Sequence, residues 1–301
     1  MNKNQNSLIA DGSLLLVAVI WGSGFTATQM ALDSGFLPLT TMALRFGMAA
    51  LLMSIIFIKK LKNIKKEDIK SGAVVGFFLF TAFASQTVGL QFTTPSKNAF
   101  LTATNVILVP FIYWFMTKKK PDIYSVIAAF ACIFGIAFIS LGRDLTLGIG
   151  DSLSLLCALL FAFHISSTGF YSQKRDTTIL TITQMWFAAI LSFLGAFFTE
   201  SFPKVVPVAG IFSVIYIGIF STMLAFFIQT TAQRHTSPTK AAIILSTEAL
   251  FGTIFSVIIL KEIITFKMIV GGICIFLAII TAETKWKFLY KRKIKIIESD
   301  L

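Results

Sequence analysis

QTVGLQFTTPSKNAFLTATN, Gln86 to Asn105, is written a second time 143 residues later as QTTAQRHTSPTKAAIILSTE, Gln229 to Glu248. Gln86 aligns with Gln229, Thr87 with Thr230, Pro95 with Pro238, Lys97 with Lys240, Ala99 with Ala242 and Thr104 with Thr247. Each copy joins two long apolar runs through a short polar turn that carries a proline and then a lysine. A period of this length is far too long for a solenoid unit. In an apolar chain it has the size of one half of a duplicated membrane protein.

The composition places the chain in lipid. Of 301 residues 56% are hydrophobic and only 13% are charged, with a mean hydropathy of +0.83, where a soluble domain carries about a quarter charged residues. Thirty-two phenylalanines overfill a single soluble core, whereas a bilayer solvates them. The net charge of +12 sits in short clusters between apolar runs, a placement that reads as membrane topology rather than as a nucleic-acid surface. Cys132, Cys157 and Cys274 lie inside apolar runs without metal-ligand spacing, and read as small packing residues. The first apolar run continues past Ala27 with no cleavage pattern, so it reads as a retained helix.

Ten runs approach the roughly 20 residues that span hydrocarbon: 13–31, 39–58, 71–91, 99–117, 123–141, 151–171, 179–199, 208–230, 240–260 and 266–284. Breakers such as Gly35, Pro38, Pro95, Pro121, Pro203, Pro207 and Pro238 fall between them or at their ends. The alternating ten-residue segments of a barrel are absent, so the expected fold is an all-α integral membrane protein of ten transmembrane helices. With the N-terminus in the cytoplasm, the inner side collects 20 Lys and Arg and the outer side 5, with Arg45 inside a run. That bias puts both termini inside. Five helices per half is odd, so the second half enters the membrane inverted relative to the first. The expected division is 1–145 for the first five-helix repeat and 146–301 for the second, with a basic cytoplasmic tail. Asp11 with Asp151 and Lys118 with Lys261 extend the match. Inverted repeats suit a carrier whose midplane site opens to either side in turn.

Trp21-Gly22-Ser23-Gly24-Phe25 resembles the W-G-x-x-F signature of EamA-type proteins in the drug/metabolite transporter superfamily, and Arg45-Phe46 resembles that family's R-F pair. Ser96 to Pro110, Thr247-Glu248-Ala249 and Lys261-Glu262 follow its pattern at the fourth and ninth helices. The resemblance covers almost the whole chain. It implies two inverted five-helix bundles around a cavity lined mainly by helices 1, 3, 4, 6, 8 and 9, carrying small metabolites or drugs. Many members have Glu-Pro in the ninth helix where this chain has Glu248-Ala249, so a proline-made kink is not carried over.

Polar residues at membrane depth face cavities or one another. Glu248, two turns into the ninth run, is the foremost candidate: it can contact a substrate amine or take up a driving proton, or else pair with Lys240 on its own helix. Its repeat partner is Asn105. Asn98, Thr102 and Asn105 fall at i, i+4 and i+7 and form one polar stripe. Gln86 and Gln229 are repeat-related amides, suited to a polar solute or to interhelical hydrogen bonds. Thr222, Phe226, Gln229 and Gln233 share a face. Trp21 reads as an aromatic wall or as packing, and His164 as a substrate contact or as a neutral interhelical hydrogen bonder. Arg45 reads as structural, bonding helix-end carbonyls or snorkelling within its own half, in preference to a substrate ligand. Gly72 and Gly76 form a G-x-x-x-G that permits close packing.

The function expected is a secondary transporter in the plasma membrane, exporting amino acids, their derivatives or drugs by alternating access. No Walker motif is present to use ATP. An uncoupled facilitator, channel or scramblase on the same scaffold is the alternative. A remoter one is an intramembrane serine hydrolase using Ser23 and His164. No cofactor or metal is expected. The expected partners are a small-molecule substrate, anionic inner-leaflet lipid at the tail from Trp286 to Lys295, and a second copy of the chain, with no nucleic acid.

Overall fold

The computed structural model describes residues 3–118, 120, 123–140, 147–201 and 205–284. The basic tail, Pro121, Arg143, Pro203 and Lys204, on which part of the topology reading rests, lie outside them. The chain folds into helices α1 (Lys3–Asp33), α2 (Pro38–Ile56), α3 (Lys66–Leu90), α4 (Pro95–Thr117), α5 (Ile123–Ser140), α6 (Ile149–Ser172), α7 (Thr177–Thr199), α8 (Val208–Ala232), α9 (Pro238–Leu260) and α10 (Phe266–Thr284). Eight of these are long and apolar enough to cross a bilayer, and a shorter apolar stretch, Phe266–Ala278, lies in α10. The eight do not include α5, so the spanning count established among the described residues stands below the ten expected. Phe115, Phe134, Phe197 and Phe198 are about three-quarters exposed, an apolar exterior that only lipid solvates favourably.

The repeated stretch makes the same local structure twice. Thr94 and Ser237 cap the N-termini of α4 and α9 by accepting from the amides of Lys97 and Lys240, and Pro95 and Pro238 fill the first helical positions. Proline suits that position because no intrahelical partner is lost. Both helices then break at matched residues. Thr104 and Thr247 have ψ near −11°, and each hydroxyl donates to the carbonyl three residues back, a local bond that competes with regular winding. Lys118 and Lys261 close the two helices with matched positive φ of 61° and 58°. α9 therefore breaks beside Glu248 without any proline there.

Repeat-related helices run antiparallel. The first half of α4 packs on the second half of α9, and the second half of α4 on the first half of α9. In α2 and α7, Leu39 meets Gly195 while Trp186 donates to Ser54. Close crossings fall at glycine: a Cβ on Gly22 would lie 2.5 Å from Phe251 Cβ, and one on Gly76 2.7 Å from the Gln184 carbonyl oxygen. The G-x-x-x-G of α3 is thus the seat of its crossing with α7.

At the two ends, the lysines of the repeated turns reach across to the opposite half. Lys97 Nζ lies 2.6 Å from Asp151 Oδ2, and Lys240 Nζ lies 2.6 Å from Asp11 Oδ2. The sequence matches lysine with lysine and aspartate with aspartate, and the fold joins them crosswise into two related ion pairs at opposite ends of the molecule.

Candidate functional site

Between the two ion pairs lies a cavity at the convergence of seven helices. Its wall comprises Trp21, Gly24, Phe25 and Thr28 of α1, Arg45 of α2, Phe83, Gln86, Thr87 and Leu90 of α3, and Asn105 of α4. Phe161 and Ile165 of α6, Ser221 of α8, and Leu245 and Glu248 of α9 complete it. Its volume of about 30 Å³ admits one or two waters, so the helices are drawn in around the site. The participation of α2, through Arg45, goes beyond the helices that the resemblance implied.

Glu248 is the first residue after the break in α9, at the head of the half-helix Glu248–Phe255. It is 6% exposed and makes no hydrogen bond or ion pair with any described residue. Lys240, its candidate partner on the same helix, is taken by Asp11. The head of a helix favours negative charge. Asn105 occupies the same position in α4, where its Nδ2 donates to the Thr102 carbonyl at 2.9 Å and its Oδ1 has no partner among the described residues.

Arg45 corrects the reading of this residue as a helix-end bonder or a snorkelling side chain. It is 2% exposed, and its Nε donates to Thr222 Oγ1 at 2.7 Å. A second nitrogen reaches Ser221 Oγ at 3.4 Å. The guanidinium lies over the Phe83 ring, 4.3 Å from its centroid. Ser221 and Thr222 belong to a π-helical stretch, Ile217–Leu224, within α8. Such widened turns are rare and cluster at functional sites. Trp21 Nε1 donates to the Ser221 carbonyl at 2.9 Å, and the Trp21 ring lies 4.9 Å from that of Phe226.

Of the candidates named from sequence, Trp21, Gln86, Asn105 and Glu248 meet on the cavity wall, while Asn98, Thr102, His164 and Gln229 are not part of it. Asn98 and Thr102 stand behind Gln86: Gln86 Nε2 donates to Thr102 Oγ1 at 3.4 Å, and Asn98 Nδ2 donates to Ser154 Oγ at 3.1 Å. His164 is fully buried between the edges of Phe161 and Phe226, with Nε2 3.0 Å from Gln184 Oε1. Gln184 passes the connection on to Thr230 Oγ1 at 3.2 Å, so the chain of bonds ties α6, α7 and α8 together. Gln229 is buried with neither amide atom partnered among the described residues. Ser23 bonds the Ile20 carbonyl and the Tyr216 hydroxyl, so Ser23 and His164 form no dyad.

Sequence reasoning passed over Gln184 and Ser221, and named Thr222 only as one member of a shared helix face. A lone amide within an apolar run and two adjacent hydroxyls at membrane depth were the available signals. The π winding that aims Ser221 and Thr222 at Arg45 leaves no mark in composition.

Comparison with known proteins gives a consistent result. The sequence profile described as the EamA-like transporter family matches twice, over residues 8–141 and 148–283. An uncharacterized transporter of Archaeoglobus fulgidus is 36% identical over 281 residues, covering 92% of this chain and 87% of the relative. The uncharacterized transporter YoaV of Bacillus subtilis is 24% identical over 270 residues, covering 87% and 92%. One solved crystal structure superposes over 92% of this chain and 97% of its own with a TM-score of 0.66 at 13% identity, a likeness of fold alone.

Proposed function

This chain belongs to the EamA-like transporter family, and from that membership we propose that it exports small zwitterionic metabolites, amino acids or their derivatives, by alternating access. The observation that carries this reading is Glu248, a carboxylate 6% exposed on the cavity wall with no partner from the described residues. An unpaired acid at membrane depth is costly unless a ligand or a proton completes it. A substrate ammonium supplies that partner, Asn105 and Gln86 offer amide bonds beside it, and Trp21 and Phe83 take the apolar part.

The two crosswise ion pairs fit the gates of such a carrier. Each ties the head of α4 or α9 to a helix of the opposite half, so opening one end breaks one pair and leaves the other. In this scheme, the lysine and arginine bias supports a Lys97 pair outside the cell and a Lys240 pair in the cytoplasm. A proton carried by Glu248 in exchange for substrate provides the driving force in this scheme.

Efflux of radiolabelled amino acids from proteoliposomes, with and without an imposed pH gradient, tests the scheme. The gradient is expected to accelerate wild-type efflux and to have no effect on Glu248→Gln. Gradient-independent efflux in the wild type rejects coupling in favour of the uncoupled facilitator. Full gradient dependence in Glu248→Gln removes Glu248 as the proton carrier.

A further inference from the structure

Among the described residues, the cavity wall holds two charged ones, and they have opposite signs. Glu248 comes from the second half of the chain and Arg45 from the first. No acid lies within ion-pair distance of Arg45 among the described residues; its bonds are the two hydroxyls and its stacking partners are Phe83 and Phe46. A guanidinium offers five N–H donors in a planar fork that matches a carboxylate bidentately. Here one hydrogen bond is short, one is long, and Nη1 makes none among the described residues. A buried cation held by neutral hydroxyls and an aromatic face, with donors left over, lacks the anion that ordinarily accompanies it.

We propose that Arg45 is the specificity-determining residue for a substrate carboxylate, so that a zwitterion lies between Arg45 and Glu248 and bridges the two halves of the chain. This rests on the transport reading and sharpens it. The hydroxyls of Ser221 and Thr222 hold the guanidinium in place, and Phe83 below it fixes the plane of the fork. A solute bonded at one end to α2 and at the other to α9 has a different binding energy whenever the halves shift against each other. That difference lets a substrate bias a conformational equilibrium. An amine lacking the carboxylate fills only one pole.

The test is thermal unfolding of the purified full-length protein with each of the twenty common L-amino acids, then with the C-terminal amide and the decarboxylated amine of any that bind. At least one free amino acid is expected to raise the Tm, with its amide and its amine binding at least tenfold more weakly. Arg45→Gln is expected to lose the preference for the acid over the amide, while Arg45→Lys, which keeps the charge without the fork, retains part of it. The wild-type ligand series stands by itself if Arg45→Gln fails to fold. Equal binding of acid and amide by the wild type, or an unchanged preference in Arg45→Gln, overturns the role of Arg45 and leaves the transport reading in place. If none of the amino acids shifts the Tm, both the Arg45 assignment and the zwitterion reading fall.

Discussion

Lys97 and Lys240 arise from the same repeated turn and make ion pairs of the same length, yet their surroundings differ. At the Lys97 end, the Asp151 side chain is 4% exposed, and its second oxygen accepts from Thr93 Oγ1 at 3.3 Å. The neighbouring Ser96 gives its amide and hydroxyl to Glu262, which also takes the Ser256 hydroxyl. At the Lys240 end, the Asp11 side chain is 21% exposed, and its second oxygen has no partner among the described residues. A further contrast separates the helices beside these pairs. Asp176 caps α7 with its own carboxylate, while α2 has Leu37 at that position and borrows Glu200 from the far end of α7. On the cavity wall, the second half of the chain supplies Glu248 where the first supplies its repeat counterpart Asn105. Duplication kept the turns, the breaks and the crossings alike; divergence acted on which polar groups are paired.

The largest effect is expected where the halves differ in charge. Removing one member of a desolvated charge contact costs roughly 2–5 kcal/mol, so Glu248→Gln should reduce amino-acid efflux from proteoliposomes by about 30-fold or more. Asn105→Ala, at the mirror position, should reduce it only a few-fold. Equal losses would break the contrast between the halves.

Next come the ion pairs. Asp151→Ala strands Lys97 against a covered surface and should destabilise the protein by about 2 kcal/mol, below the range for a fully buried pair because Lys97 is partly exposed. Asp11→Ala should cost less than about 1 kcal/mol, as an exposed pair does. Melting in detergent reads the difference, and the Lys97→Asp, Asp151→Lys exchange should recover part of the larger loss.

The smallest effect belongs to the caps. Asp176 accepts from the amides of Thr178 and Ile179 and pairs with Lys60 at 2.8 Å. Burial alone pushes its carboxyl up; the hydrogen bonds and the charge of Lys60 outweigh this and hold it below the ordinary value. A lowered value in the folded state means that the stabilisation is whole above the unfolded carboxylate range and fades as pH falls through the folded value. Asp176→Ala should therefore cost about 1 kcal/mol at neutral pH and progressively less on acidification, a trend that melting curves across pH 3–7 can follow.

Much of the scaffold was legible because it is local. The turn at Thr94–Lys97, the apolar runs and the small residues of α3 each carry their signal within a few neighbouring positions. The pairing of Lys97 with Asp151 was not legible, although both residues had been matched to repeat partners, because it depends on how two inverted halves dock. Glu248 stood out as an acid in an apolar run. Arg45 was read as structural; the role proposed for it turns on the absence of an acid near it among the described residues, which only the packed structure reveals. The break at Thr247 was hidden for a related reason: a threonine hydroxyl can bend a helix as a proline does, and threonine is common in helices that stay regular.

α5 and α10 close the two halves and lie against each other. A Cβ on Gly135 would come within 2.8 Å of the Gly271 carbonyl oxygen and 2.6 Å of Ile275 Cγ1. Backbones that approach so closely leave little room for one helix to slide along the other. In the proposed transport cycle this seam is the keel, a stiff line along the flank of the molecule about which the cavity-bearing helices would roll while the last helix of each repeat stays moored.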